Sequence, residues 1–387
     1  MKILVNGTSL LAPLTGIGQY VRHLFTAMEK LPEADIRLYY GTHCERGIKL
    51  PSVHSAQAVQ RSYGWVKRFL PRPRLLKKLA EQTLFRYHTG GGSGQTLYHE
   101  PNYVPMPYKG PLVLTVCDMS CFDHPETHPQ ERVRLMQRDL PPAIEKADHI
   151  IVISKSSGDA LRQWFNVDPS RITITYLAAD PRFRPRPAET VAPLLAGLGL
   201  TPGGYVLSVG TLEPRKNLAT LFAAYAGLPA PLRQRYPLAV AGLNGWNTEG
   251  LMKAASELIR RGELKLLGYV PDELIPALYA GAAAFCYPSR YEGFGLPALE
   301  AMASGVPVIT SNRTSLPEVV GDAGIMVDPD DVEGLRERLR QLLEDATYAA
   351  ELGHRGLLRS QTFSWDRCAR ETFSVYRQVM RQRGGKA

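Results

Sequence analysis

Two carboxylates stand eight residues apart in the stretch SRYEGFGLPALEAMASGVPVI, Glu292 before a glycine-rich turn and Glu300 beyond it. Acids in such a frame suit the holding of a polar, charged ligand. Glu292 can reach sugar hydroxyls, and Glu300 can accept both hydrogens of a ribose diol. Pro297 fits the first turn of a helix, where its missing N–H costs nothing, and Gly305 fits the stop. The preceding AAAFCYPS reads as a buried strand. The loop with Gly293 and Gly295 therefore sits at the carboxyl end of a strand, where α/β sheets bind ligands. Free N–H groups over Phe294, Gly295 and Leu296 would favour an anion. The plainer alternative, a corner of an α/β fold with two exposed acids, leaves the agreement of glycines, proline and acids unexplained.

A second segment, YVLSVGTLEPRKNLATLF, repeats the arrangement: a strand ending near Gly210 and Thr211, a loop carrying Glu213, Arg215 and Lys216, and a helix from Asn217. Adjacent cations at a strand's carboxyl end can neutralise a diphosphate. Cations at a helix start oppose its dipole, an arrangement more easily tolerated when an anion bridges the two. A third segment, LLAPLTGIGQYVRHLFTAM, places Gly16, Ile17 and Gly18 between the first strand and a helix. It lacks the third glycine of a dinucleotide fingerprint, so alone it is a weak signal. Asp328-Pro329-Asp330 follows a strand and begins a helix, which suits a turn and cap better than a metal site. His124 and His128 are four apart, but Pro125 interrupts any helix, so both read as loop residues. No G-x-S-x-G elbow or Ser-His-Asp set is recognisable.

These loops need strands to carry them. The first half offers KILVNG, IRLYYG, QTLYHE, PLVLTVCD, HIIVIS and RITITYL; the second offers YVLSVGT, PLAVAG, LKLLGYV, AAFCYPS, VPVITSN and AGIMVD. Near-continuous apolar strands alternating with helical patterns imply parallel, doubly wound sheets. Twelve strands fit two sheets better than one. The α/β chain is accordingly divided into a first domain over 1–180, a proline- and arginine-rich linker over 181–199 and a second domain over 200–365. A terminal helix over about 366–387 is expected to pack back on the first domain.

The 387 residues suit two domains, and 44% hydrophobic with 21% charged residues is the composition of a folded protein. No uncharged apolar run reaches 18 residues, so no transmembrane helix is expected. The N-terminus reads as a strand, not a signal peptide. Five cysteines without a CxxC pair suggest a reducing compartment, hence the cytoplasm. The net charge of +9 invites polyanions. Arg61 to His88 holds eight Lys/Arg, including Lys67, Arg68, Arg72, Arg74, Lys77 and Lys78, against one acid, with Trp65, Phe69 and leucines interleaved. That composition fits an amphipathic surface on anionic lipid, the alternative being a solvated helix pair. Nucleic acid is disfavoured, because no binding motif accompanies the charge. HTGGGSGQ reads as a loop.

Taken together, the glutamates in EGFGLPALEAMASGVPVI, the loop GTLEPRKN and the turn TGIGQY resemble the family 4 glycosyltransferases of GT-B fold, over nearly the whole chain. SVGTLEPRKN with TVCDMSCFDHPETHP is most similar to bacterial mannosyl- and rhamnosyltransferases of surface-polysaccharide assembly. The resemblance implies two Rossmann-like domains facing a cleft, the first binding the acceptor and the second the nucleotide-sugar. It implies that Arg215 and Lys216 bind the donor diphosphate and that Glu300 holds the ribose. Glu292 with the backbone at Phe294 and Gly295 would hold the donor sugar. Gly16 would close over the diphosphate, and Gly268, Tyr269 and Val270 would wall the base. It further implies retention of anomeric configuration, independence of metal and other cofactors, and a preference for a GDP-sugar. The expected acceptor is a glycan, polyprenyl-diphosphate-linked given the basic segment, met at the inner face of the plasma membrane.

One departure stands out. Many relatives carry His-Asp at the end of the strand PLVLTVCDM, where this chain has Cys117-Asp118. The imidazole is gone, leaving Asp118 to orient the acceptor hydroxyl, with His99 of LYHEPNYVP as a second cleft candidate. A front-face retaining reaction needs no side-chain base, because the leaving phosphate oxygen can take the acceptor proton. Two rivals share the fold: a nucleotide-sugar epimerase, and a non-catalytic lipid- or polyanion-binding protein.

Overall fold

The computed structural model describes residues 1–11, 16–49, 73–92, 94–243, 245–246 and 249–384, with the backbone alone over 73–79. The first sheet is built from β1 (Lys2–Asn6), β2 (Asp35–Tyr39), β3 (Cys44–Glu45), β4 (Thr96–Glu100), β5 (Leu112–Val116), β6 (His149–Val152) and β7 (Ile172–Ile174). Its order is β3-β2-β1-β4-β5-β6-β7. All neighbours are parallel except β2 and β3, whose register pairs Leu38 with Glu45. The helices around it are α1 (Gly16–Met28), α2 (Pro73–Thr89), α3 (Ser120–Asp123), α4 (Gln130–Lys146) and α5 (Lys155–Phe165).

The second sheet has the order β10-β9-β8-β11-β12-β13 and is parallel throughout. Its strands are β8 (Val206–Val209), β9 (Leu238–Ala241), β10 (Leu264–Gly268), β11 (Ala284–Tyr287), β12 (Val308–Ser311) and β13 (Ile325–Val327). Its helices are α6 (Ala188–Ala196), α7 (Leu218–Ala226), α8 (Ala230–Arg235), α9 (Glu249–Arg260), α10 (Ile275–Ala280), α11 (Leu296–Ala303), α12 (Leu316–Val320), α13 (Val332–Glu344) and α14 (Ala346–Ser360). Alternate strand residues feed different cores. Leu207, Ala239, Phe285 and Tyr287 enter one, and Val206, Val240, Ala284 and Cys286 the other. Burial on both faces is what near-continuous apolar strands require.

All twelve strands read from the sequence are present, and the two parallel sheets are those expected. The additional β3 is an antiparallel edge strand of two residues, too short to leave a periodic signal. The stretch 181–199 differs from a plain linker. It contains α6, whose Val191 and Leu195 are buried in the second domain's core. Pro187 caps this helix and Pro193 lies within it, which disguises it in the sequence. The last helix, α15 (Trp365–Gln382), returns to the first domain. Its Cys368, Ala369, Phe373, Tyr376 and Val379 are buried in the same core as Tyr20, Leu24 and Ile151.

Candidate active site

In both sheets strand order reverses next to the first strand, between β1 and β4 and between β8 and β11. Crevices form at such switch points because the flanking loops diverge. The loops after β8 and β11 carry the predicted clamp. Lys216, on a turn of 3-10 helix, donates to Glu292 Oε1 at 2.7 Å and to the Tyr287 hydroxyl at 2.5 Å. Arg215 lies 3.3 Å from Glu292 Oε2 and 2.5 Å from Glu213 Oε1, and also donates to the Tyr291 carbonyl. Two cations thus face two carboxylates in a largely buried cluster. Burial alone would raise the Glu292 carboxyl, but Lys216 and Arg215 together hold it below its ordinary value. Burial, then the Arg215 guanidinium, pushes the Lys216 ammonium below its ordinary value, although Glu292 and Glu213 oppose this. Glu292 is thus held as a carboxylate against both cations, and a second anion can enter by competing for the same charges.

Backbone geometry fixes this cluster. Asn217 adopts a left-handed φ of 57° and donates to the carbonyls of Pro288 and Pro329, tying the β8 loop to the β11 and β13 loops. Gly242 lets the β9 loop pass against Gly210, whose carbonyl would lie 1.9 Å from an added Cβ. Thr314, a β-branched residue at φ 52°, accepts from the Glu292 N–H. Ser315 donates to the carbonyls of Glu292 and Phe294. Strain in a β-branched residue persists only where surroundings enforce it, and it gathers at functional loops. Gly295 at φ 106° begins α11, with Leu296 and Pro297 in its first turn. Glu300 lies half-buried on this helix, its carboxyl pushed up to about 8 by burial, with Tyr279, Asp180, Asp272 and Arg182 nearby. Gly268 takes a φ of 62° at the end of β10, Tyr269 beside it is 58% exposed and Val270 is buried. Gly210 and Thr211 are half-buried at the end of β8.

Across the crevice, Gly293 meets the first domain. A Cβ there would lie 2.3 Å from the Cys117 carbonyl oxygen and 2.9 Å from Asp118 Cβ. The Ser157 hydroxyl is placed between the Cys117 and Gly293 carbonyls, at 3.0 and 3.3 Å. The Tyr291 hydroxyl accepts from Met119 N–H and donates to Asp123. Asp118 is thereby brought beside the Glu292 loop. Its Oδ1 accepts from the N–H and hydroxyl of Ser120, and its N–H donates to the hydroxyl of Tyr103, a buried residue at φ 63°. Gly16 opens α1, with nothing within 4 Å of an added Cβ, and Ile17 packs partly against the core.

Two acceptor-side candidates are placed otherwise than expected. His99 is fully buried within β4, with Nε2 against Thr115 Oγ1 at 2.7 Å and Nδ1 against the Tyr376 hydroxyl at 2.5 Å. Burial lowers its ring to about 3. It is a neutral core residue with both nitrogens engaged, not a cleft group. The Cys117 thiol is buried too, and burial raises it well above its ordinary value, so it offers no base. Asp328 pairs with Arg313 and Asp330 with Arg290, while Asp331 caps α13, in keeping with a turn and cap. Among the described residues no helix is long and apolar enough to cross a membrane. Lys67, Arg68 and Arg72 lie outside the described residues; Arg74, Lys77 and Lys78 lie on α2, where only the backbone is described.

Sequence reasoning missed Tyr103, Ser157, Thr314 and Trp246, whose indole donates to the Thr127 carbonyl across the crevice at 2.6 Å. Ser120, also missed, left a local trace: an acid followed two residues later by a hydroxyl, the pattern of a side-chain turn.

Two facing parallel domains with a cation–carboxylate cluster at the switch point define a glycosyltransferase of GT-B fold. The family described as Glycosyl transferases group 1 matches residues 200–358. Over 97% of its length the chain is 38% identical to the whole of the O-antigen chain mannosyltransferase B of Escherichia coli. The chain belongs to this glycosyltransferase family. Sucrose-phosphate synthase from Thermosynechococcus elongatus superposes with a TM-score of 0.73 at 22% identity, covering 98% of this chain and 99% of that one. WaaG, a glycosyltransferase involved in lipopolysaccharide biosynthesis, does so at 0.67 and 17% identity, covering 97% and 99%. Both likenesses concern the fold.

Proposed function

We propose that this enzyme is a retaining mannosyltransferase of O-antigen-type polysaccharide assembly, using a GDP-sugar and a lipid-linked glycan acceptor. The likeness to the Escherichia coli O-antigen chain mannosyltransferase B supports the sugar and the pathway class. The observation that carries the chemistry is the cluster of Lys216, Arg215 and Glu292 beside the N-terminus of α11, with Asp118 facing it.

In this reading the donor diphosphate takes the Lys216 and Arg215 charges and the α11 N–H groups. Glu300 accepts the ribose diol, and Glu292 with the Phe294 and Gly295 backbone holds the sugar. Gly16 closes on the phosphates from α1, and Gly268, Tyr269 and Val270 wall the base. The acceptor oxygen bonds to the anomeric carbon from the face the phosphate leaves. The carbon–phosphate oxygen bond breaks, and the acceptor proton passes to the departing phosphate oxygen. Fixed cations stabilise that oxygen's charge, so no metal or other cofactor is invoked. Closure of the cleft excludes water, which would otherwise hydrolyse the donor. The basic segment through Lys67, Arg68, Arg72, Arg74, Lys77 and Lys78 would hold the enzyme on anionic lipid at the cytoplasmic face, where a polyprenyl-diphosphate acceptor waits. Liposome binding that survives removal of those charges would overturn this part.

A thermal-shift panel of GDP, UDP, ADP and their sugars tests the donor, because a ligand bound only by the folded protein raises its stability. GDP and GDP-mannose should give the largest shifts. Lys216→Ala and Glu292→Ala should each lower transfer by about 10²–10³-fold, as loss of a transition-state contact does. Unchanged transfer in both would remove the clamp assignment. Epimer formed without acceptor would favour the epimerase, and binding without turnover the non-catalytic rival.

A further inference from the structure

Asp118 does not stand alone. Its Oδ1 accepts the Ser120 hydroxyl at 2.7 Å, and the same Ser120 oxygen lies 2.9 Å from Nε2 of His128. His128 is 5% exposed and comes from the short loop between α3 and α4. Its other nitrogen, Nδ1, is buried without a hydrogen-bond partner. The ring is further held from the opposite domain. Trp246 lies 5.9 Å away, centroid to centroid, and its indole donates to the carbonyl of the preceding Thr127.

The direction of the hydrogen bonds follows from the Ser120 hydroxyl, which has a single hydrogen to give. It donates that hydrogen to the Asp118 carboxyl oxygen. The serine oxygen can then take a hydrogen from His128, which requires the Nε2–H tautomer. Nδ1 is consequently the bare lone pair, the less costly group to leave unpaired in a buried place. Burial first, then the Arg132 charge, holds the imidazole at about 4, so it stays neutral near pH 7. The Ser120 N–H adds a second bond to the same carboxylate oxygen, and Tyr103 fixes the Asp118 backbone. Among the described residues no hydrogen bond to Asp118 Oδ2 is found, and Gly293 of the Glu292 loop lies beside the Asp118 Cβ.

We infer that His128, through Ser120, positions the Asp118 carboxylate for the acceptor hydroxyl, restoring by a chain of hydrogen bonds the fixed geometry that an imidazole next to Asp118 would have supplied. His128 and Ser120 are positioning residues; Asp118 is the group that touches substrate. All three links of the chain lie in the first domain, and Trp246 of the second adds a ring contact to His128 and a bond to Thr127. This inference rests on the acceptor role assigned to Asp118 under the proposed function.

Two measurements test it. The first needs no substrate: nitrogen NMR of histidine-labelled protein at pH 7. His128 should show the neutral Nε2–H tautomer in the wild type and lose that preference in Ser120→Ala. An Nδ1–H tautomer or an imidazolium would overturn the inference. The second is kinetic, with GDP-mannose and an alkyl-linked oligomannoside. His128→Leu and Ser120→Ala should raise the acceptor KM or lower kcat by about 10-fold or more, the loss expected of a hydrogen bond to a charged group. Donor KM should stay as in the wild type, with the variants assayed at a temperature where each is fully folded. His128→Gln, which keeps an N–H donor, and Ser120→Thr, which keeps the hydroxyl, should recover most of the loss. Wild-type acceptor kinetics in His128→Leu alongside a disabled Asp118→Asn would reject the chain and leave Asp118 in place. An unimpaired Asp118→Asn would instead reject the acceptor role itself.

Discussion

Burial decides what Glu300 can do. Its carboxyl is raised to about 8 chiefly by burial, with Asp180 and Asp272 adding to the rise and Tyr279 and Arg182 opposing it. A ribose diol donates two hydrogen bonds, which a carboxylate accepts better than the neutral acid. Binding a nucleoside diphosphate should therefore release a proton, and affinity should climb with pH until about 8 and then level off. The slope can approach about tenfold per unit while the free group is protonated. Calorimetric titration with GDP in buffers of different ionisation heat should show the proton release. Glu300→Gln, or a 2′,3′-dideoxy nucleotide, should flatten the dependence; a flat wild-type profile would remove the ribose assignment. In the ligand-free enzyme the same shift makes stability fall as pH rises from the unfolded carboxylate value to about 8, because the folded state holds the extra proton. Glu292, Arg215 and Lys216 were legible from sequence because strand, loop and helix N-terminus all lie within each segment. His99 was not. Its ring is fixed by Tyr376, 277 residues away, and nothing local to LYHEPN records that partner.

At the scale of elements, the β11–α11 loop also forms part of the contact between the domains. Gly293 is needed because another backbone, not its own conformation, occupies the space: the Cys117 carbonyl and Asp118 Cβ leave no room for a methyl group. Gly293→Ala should leave nucleotide affinity nearly intact, since the second domain is unchanged, while transfer falls by about 10²-fold from a misplacement near 1 Å. Parallel loss of GDP affinity and turnover would mean instead that the loop itself had distorted. The sequence announced this glycine as part of a turn, yet its contact across the crevice was invisible there. The strands were legible throughout because apolar runs bounded by glycine and proline mark buried parallel strands. The two-residue β3 lacked length, and α6 was masked by the prolines at its start and interior. Trp246 stood in a glycine- and asparagine-rich loop with no pattern to give it a role. Its value comes from reaching Thr127 on the other domain.

Over the whole molecule, the two domains are joined by contacts that close the crevice as well as by covalent connection. α15 leaves the second domain and packs its apolar face on the first, so the chain crosses between domains twice. On one side, Glu318 of α12 accepts from the N–H groups of Lys155 and Ser156, both at 2.7 Å, and from the Tyr176 hydroxyl at 3.2 Å. It is a carboxylate from one domain placed on the first turn of α5 in the other, favoured by the helix dipole and by hydrogen bonds that the turn's orphan N–H groups otherwise lack. Ser154 caps the same helix internally, so Glu318 can depart without unravelling it. Glu318 therefore stabilises the closed arrangement more than either domain. Glu318→Ala should weaken closure by about 1–2 kcal/mol, the scale of a charge-assisted hydrogen bond reduced for partial exposure. That corresponds to a factor of about 5–30 in population. If only the closed form is competent, kcat/KM for the donor falls by up to that factor. Small-angle scattering should show a more open particle, and amide exchange at Lys155 and Ser156 should accelerate while β5 and β8 keep their protection. Unchanged exchange at these two amides, with unchanged kinetics, would mean that closure is held by the other contacts between the domains, those of Ser157, Tyr291 and Trp246 and the Arg22–Asp272 pair among them.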